Sequence, residues 1–400
     1  MRRQFPGLDG IRAVGALLVL GTHVGFESGA SISSSFNGVL SRMDSGVAIF
    51  FVISGFLLYR PHAVCLLTGD PRPDVRRYFW HRAVRILPPL WLAVLGAAIV
   101  FHGRPGTTAR NLALHSALVQ IYVERHEALG LTQMWSLATE AAFYVLLPVL
   151  AWVLARRMPH PVVGAPDTRA AVRVRLGLLL ALPVVGSAWM ALAADRHEPL
   201  WGIWLPGYIG WFGLGMALSL WSAARSLGVL GHTWLDDLAP RSWTVWGVAV
   251  GLYLVLVSPV AGPYDLSPAT PGQAATKNLL YGILGALVVL PAVSARTSEE
   301  DPPEARALGG RVGKVLGDLS YGVFCYHLIV LGLVERAIGF QIFTGRFWTL
   351  LGLTAPLSLL VAAASFYGVE RPLMRRARRG ERVPAHVTES ASATAVSTAS

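Results

Sequence analysis

Long apolar runs broken by short polar connections repeat along the whole of this 400-residue chain. Runs long enough to cross a bilayer, about 20 residues each, fall at 8–27, 40–59, 86–103, 133–155, 175–194, 200–221, 243–260, 279–293, 315–333 and 347–367. They are apolar throughout and not at every second position. That excludes the strands of a membrane β-barrel and predicts an all-α polytopic membrane bundle of about ten transmembrane helices. Arg2 and Arg3 give the first run the look of a signal peptide. No small-residue cleavage site follows, so the run is read as a retained helix. The stretch TARNLALHSALVQIYV (108–123) is amphipathic and expected either to lie at the membrane interface or to re-enter the membrane. If it spanned, every later helix would reverse and the charge distribution would worsen.

Composition agrees. The chain is 54% hydrophobic and 14% charged, with a mean hydropathy of +0.51, which excludes a soluble domain. With the N-terminus inside, 25 of the 34 Lys and Arg fall in cytoplasmic segments and 8 in outer ones. This bias places both termini in the cytoplasm. The net charge of +11 is thus mostly a topology signal; its division among loops gives a nucleic-acid reading little support. Cys65 and Cys325 fall in a loop and in a span, which argues against a disulfide. No CxxC or HExxH spacing suggests a metal site. Residues 1–372 read as one membrane domain. The loop 294–314 is expected to be mobile, and the basic, then Ser/Thr/Ala-rich tail 373–400 disordered.

Ionisable residues inside the spans carry the candidate chemistry, because such groups are costly there and by default face the protein interior. Arg12 and His23 are eleven residues apart in the first span. Eleven steps of about 100° bring them to one face, ~16 Å apart along the axis. His23 suits a general base, with a reference pKa of ~6.5; the alternative is a packed, hydrogen-bonded ring. Arg12 either binds an anion or snorkels to the inner boundary. Arg82 and Arg85 are one turn apart before Pro88, where paired guanidiniums chelate phosphate or simply mark the cytoplasmic flank. Glu140 has no basic neighbour in its own span and must be neutral or paired with another helix; Tyr144 shares its face at i+4. His327 is a second intramembrane imidazole. Ser54 and Gly55 interrupt the second span and permit either close helix approach or room for a ligand.

Local patterns line up in order: LDGIRAVGALLVLGTH (8–23), FFVISGFLL (50–58), RAVRILPPLW (82–91), WSLATEAAFYVLLP (135–148), LSYGVFCYHLIVL (319–331) and VERPL (369–373). Together they resemble the acyltransferase-3 family of integral-membrane O-acyltransferases over nearly the whole chain. The resemblance implies transfer of an acyl group, commonly acetyl, from acyl-CoA to a hydroxyl of a carbohydrate, a glycolipid or a macrolide-like small molecule at the cell membrane. It carries over Arg12 with His23 as a unit and matches His327 to the family's C-terminal His. Where that pattern usually has Tyr, this chain has Phe324. Under this reading His23, oriented by Glu140, is the base, and Arg12, Arg82 and Arg85 bind the coenzyme phosphates. Tyr144, His327 and Ser54 contact substrate, and Glu370 pairs structurally with arginines. The C-terminal hydrolase-like domain of many polysaccharide-modifying members is expected to be missing, which leans towards a smaller acceptor. The rival is a proton-coupled secondary transporter using the same Arg, Glu and His as a relay. It would favour broken helices in matching halves, and none is evident.

Overall fold

The computed structural model describes residues 5–123, 127–156, 167–265, 267–294 and 303–379. Ten helices form its frame: α1 (Gly7–Glu27), α2 (Gly46–Thr68), α3 (Val75–Val100), α4 (Met134–Arg156), α5 (Thr168–Asp195), α6 (Leu205–Ser226), α7 (Ser242–Leu256), α8 (Pro271–Val293), α9 (Arg311–Ala337) and α10 (Phe347–Ser365). Among the described residues, nine helical stretches are long and apolar enough to cross a membrane. The exception is α7, with 15 residues. At ~1.5 Å per residue it covers ~22 Å, short of a hydrocarbon core of ~30 Å. The run predicted to reach 260 stops early because Pro259 opens a separate turn, Pro259–Ala261.

Helix boundaries differ most from the sequence reading in the basic segment 60–85. There α2 runs on to Thr68 and α3 begins at Val75, so only 69–74 connects them. Gly69, at φ 77°, closes α2, and the Asp74 carboxylate caps α3 by accepting from the Arg77 amide. Arg60 is absorbed by packing, donating to Ser219 O at 3.1 Å. The amphipathic stretch forms a short helix, Ala109–Ser116, and a turn, Gln120–Tyr122. It is pinned where Trp91 Nε1 donates to Ser116 O (3.2 Å) and Trp204 Nε1 to Ile121 O (2.8 Å). Of the segment expected to be mobile, 295–302 lie outside the described residues, whereas Pro303–Leu308 is a helix packed on the start of α1. The expected tail begins as helix, Arg371–Arg379; 380–400 lie outside the described residues.

Contacts fix the helix directions. Asp9 meets Gly317 and His23 meets His327, so α1 and α9 run the same way. Met43 lies on Gly21 and Phe50 on Gly15, so α2 descends beside an ascending α1. Tyr321 bonds Ile86 O and Ile329 packs on Gly96, so α3 rises with α9. Pro183 against Gly210 and Leu179 against Gly213 make α5 and α6 antiparallel. Trp246 bonds Val288 O, with Gln273 on Pro259 O, which makes α7 and α8 antiparallel. Short as it is, α7 keeps the alternation expected of ten crossings.

The tightest seam joins α2 to α6. A Cβ added at Gly55 would collide with the Phe212 carbonyl, and one added at Gly215 with the Val52 carbonyl. Small residues let the two backbones touch, which is how helices gain packing where no water drives them together. Gly215→Ala is expected to force this seam apart at a cost of about 1–3 kcal/mol. Gly247→Ala, where nothing lies within 4 Å of an added Cβ, should leave thermal unfolding in detergent unchanged; equal melting temperatures for the two variants would contradict the seam.

Candidate active site

Five helices enclose a cavity beside this seam. α1 contributes Arg12, α2 Phe50, Ser54 and Leu57, α3 Arg82 and Arg85, α4 Ser136, Glu140 and Tyr144, and α9 Ser320, Tyr321 and Phe324. The three-residue spacing of Arg82 and Arg85 puts both guanidiniums on the cavity face of α3, and the four-residue spacing does the same for Glu140 and Tyr144 on α4. Ser54 Oγ donates to Glu140 Oε1, and the Tyr144 hydroxyl hydrogen-bonds the same carboxylate. Tyr78 OH donates to Tyr144 O at 3.2 Å, tying α3 to α4. Arg12 lies 4.0 Å from Asp9 Oδ1, with its side chain 18% exposed. Charges of Arg82, Arg85 and Glu140 all act on it. Three guanidiniums thus face one cavity carboxylate, an excess of positive charge that suits an anionic ligand.

Beyond the cavity lies a pair of imidazoles. The Phe324 ring lines the cavity and is 6.3 Å from that of His327, centroid to centroid. His327 Nε2 is 3.2 Å from His23 Nδ1. His327 Nδ1 lies 3.0 Å from Val323 O and 2.9 Å from Phe324 O. Carbonyl oxygens only accept, so a neutral His327 carries its proton on Nδ1 and a lone pair on Nε2. His23 Nδ1 is also 2.7 Å from Val19 O. It faces two acceptors and must be the protonated nitrogen of a neutral ring. His23 Nε2 is thereby left as the accepting nitrogen.

This arrangement corrects one expectation. Among the described residues, Glu140 pairs with Ser54 and Tyr144, whereas His23 pairs with Val19 O and His327. Glu140 is held at cavity level on α4 beside Ser54 of α2, whereas His23 sits near the far end of α1. Glu370 departs similarly. It lies in a π-helical turn, Phe366–Glu370, and accepts from Ser365 Oγ at 2.9 Å, in line with Tyr326 OH at 2.7 Å from that hydroxyl. Arg85 acts on it only through its field.

The family description "Acyltransferase domain" (acyltransferase-3) matches residues 5–367. The chain belongs to the acyltransferase-3 family. It is 21% identical over 398 residues to the peptidoglycan O-acetyltransferase OatA of Listeria monocytogenes, covering 94% of this chain and 56% of that protein. It is 24% identical over 394 residues to the putative peptidoglycan O-acetyltransferase YrhL of Bacillus subtilis, covering 93% and 55%. The exopolysaccharide production protein ExoZ of Rhizobium meliloti is 26% identical over 348 residues, covering 84% of this chain and 90% of the relative. The chain thus spans about half the length of the first two relatives. No solved structure matches it.

Six of the residues singled out in the sequence of this family member line the one cavity: Arg12, Ser54, Arg82, Arg85, Glu140 and Tyr144. The other two, His23 and His327, meet each other beyond it. Sequence reasoning missed Tyr321, a cavity residue within a quoted motif whose hydroxyl is held by Ile86 O at 2.9 Å. It also missed Asp44, held by Lys277 Nζ at 2.8 Å and Tyr281 OH at 2.5 Å, whose charge reaches His23. Lys277 at the edge of an apolar run was the available signal.

Glu140→Gln should leave the arginines without their cavity carboxylate and lower the midpoint of chemical denaturation. Glu140→Gln combined with Arg82→Gln should cost less than the two changes summed, by at least about 0.5 kcal/mol. Additive losses in chemical denaturation would show that the two charges do not interact.

Proposed function

We propose that this protein is a cell-membrane O-acyltransferase that moves an acyl group, acetyl in the first instance, from acyl-CoA to a hydroxyl of a carbohydrate, glycolipid or macrolide-like acceptor. The observation that carries this reading is the gathering of Arg12, Arg82 and Arg85 on one cavity whose inner end adjoins the histidine pair. Coenzyme A supplies an activated thioester and a diphosphate, and a guanidinium trio is chemically fitted to that diphosphate. The relatives, named as peptidoglycan O-acetyltransferases and an exopolysaccharide production protein, favour acetyl as the group and a saccharide as the acceptor.

His23 Nε2, the accepting nitrogen, takes the proton of the acceptor hydroxyl as its oxygen attacks the thioester carbon. The carbon–sulfur bond breaks, an ester bond forms, and the proton held by His23 neutralises the departing thiolate. His327 receives the Nδ1–H of His23 and so holds the ring with Nε2 turned outward. Arg12 and His23 are ~16 Å apart along α1, a separation that an extended pantetheine arm bridges between bound phosphates and a reacting thioester. Phe324 lines the cavity with its ring 6.3 Å from that of His327, and a turn of its side chain would open the way from the arginines to the histidine pair.

His23→Ala is expected to abolish transfer while the protein stays folded in detergent; substantial residual turnover would end its assignment as the base. Acetyl-CoA should bind the purified wild type saturably and be lost by Arg82→Ala/Arg85→Ala. A folded wild type that binds no acetyl-CoA but carries a proton-coupled flux in vesicles would favour the transporter reading instead.

A further inference from the structure

A second cavity lies where α2 and α4 end and α3 begins, and its position relative to the first is informative. On α2 the first cavity takes residues between Val47 and Leu58, and the second takes residues from Tyr59 onward. On α4 the first takes Ser136 to Tyr144, and the second Pro148 to Ala155. On α3, which runs the other way, the order reverses: Arg82 and Arg85 line the first and Val75 the second. Three helices therefore agree that the cavities are stacked along the bundle axis. Val75 and Arg82 are seven residues apart, ~10 Å. The second cavity is on the side away from His23, so the order along the axis is histidine pair, arginines, second cavity.

The walls of the second cavity differ in kind from those of the first. Tyr59 and His62 stack at 6.3 Å with 21° between their planes. Trp152 is 43% exposed, with the Arg156 guanidinium 4.5 Å from its ring centroid. The connector 69–74 brings Arg72 to the rim, close enough for its charge to act on His62. Asp70 is beside it, its Oδ2 accepting from Thr68 Oγ1 at 2.7 Å. The exposed Trp152 ring offers a stacking face to a planar base, a carboxylate accepts from an exocyclic amine, and an exposed guanidinium with an imidazole beside it receives a phosphate.

We propose that this second cavity is the subsite for the phosphoadenosine end of the acyl donor, with the base against Trp152 and the 3′-phosphate on Arg72 and His62. The proposal rests on the acyl-CoA reading above and adds what that reading leaves open: where the nucleotide sits and which residues select it. The donor would then lie along the axis, with its thioester towards His23, its diphosphate on Arg82 and Arg85, and its nucleotide at the rim.

The test is calorimetric binding of CoA and of dephospho-CoA, which lacks only the 3′-phosphate, to the detergent-purified full chain. Wild type is expected to prefer CoA by roughly tenfold, the value of one charge-assisted contact. Arg72→Ala, a change on an exposed connector, should erase that preference, and Arg72→Lys should retain most of it. Trp152→Ala should weaken both ligands alike. Equal affinity of wild type for the two ligands, or an undiminished preference in Arg72→Ala, overturns the subsite and leaves the donor reading intact. A folded wild type that holds neither ligand overturns the donor reading, and the subsite with it.

Discussion

Burying positive charge in an apolar bundle is the constraint around which this structure is organised. Arg12, Arg82 and Arg85 come from two different helices and share a cavity in which Glu140 supplies the carboxylate. Each charge alone would be prohibitive in hydrocarbon. Together they are tolerable because Ser54 and Tyr144 fill the lone pairs of Glu140 and because the cavity leaves room for a ligand. The excess of guanidinium over carboxylate leaves the cavity with a net positive character.

Packing holds that arrangement in place. Gly55 and Gly215 let α2 and α6 touch along their backbones, so Ser54 is presented to α4 at a fixed height. The parallel pair α1 and α9 acts in the same way at the other end: a Cβ added at Gly317 would sit 2.7 Å from Asp9 Cα, and ten residues along α9 from that contact His327 meets His23. The cavity and the histidine pair therefore share α1 and α9 at different heights, with the Phe324 ring lining the cavity 6.3 Å from that of His327. Arg12 and His23 are thereby kept apart along the length of α1.

Much of this was legible in the chain. Periodicity located the ten helical segments, because a membrane span must be long and continuously apolar to satisfy its backbone internally. Charged residues within those runs pointed to the cavity, because few reasons exist for Arg12 or Glu140 to be there. Boundaries at 60–85 were less legible. Arg60, Arg76, Arg77, Arg82 and Arg85 read as a polar loop, yet helix continues to Thr68 and resumes at Val75, since Arg60 finds its acceptor on another helix at Ser219. The α7 span was overrun because apolar character alone does not mark where Pro259 breaks the helix.

The sequence by itself determined the class of fold and most of the ionisable residues that meet in the cavity, because hydropathy, charge cost and i+3 or i+4 spacing are properties of a single chain segment. Pairing between segments was decided only by the tertiary structure. Nothing local to Glu140 distinguishes Ser54 from His23 as its partner; the heights of α2, α4 and α1 do. Nothing local to His23 specifies which of its nitrogens accepts; the carbonyls of Val19, Val323 and Phe324, brought together with His327 by the parallel packing of α1 and α9, settle that. The stacking of two cavities along one axis is likewise a property of three helices in register, visible in none of them alone.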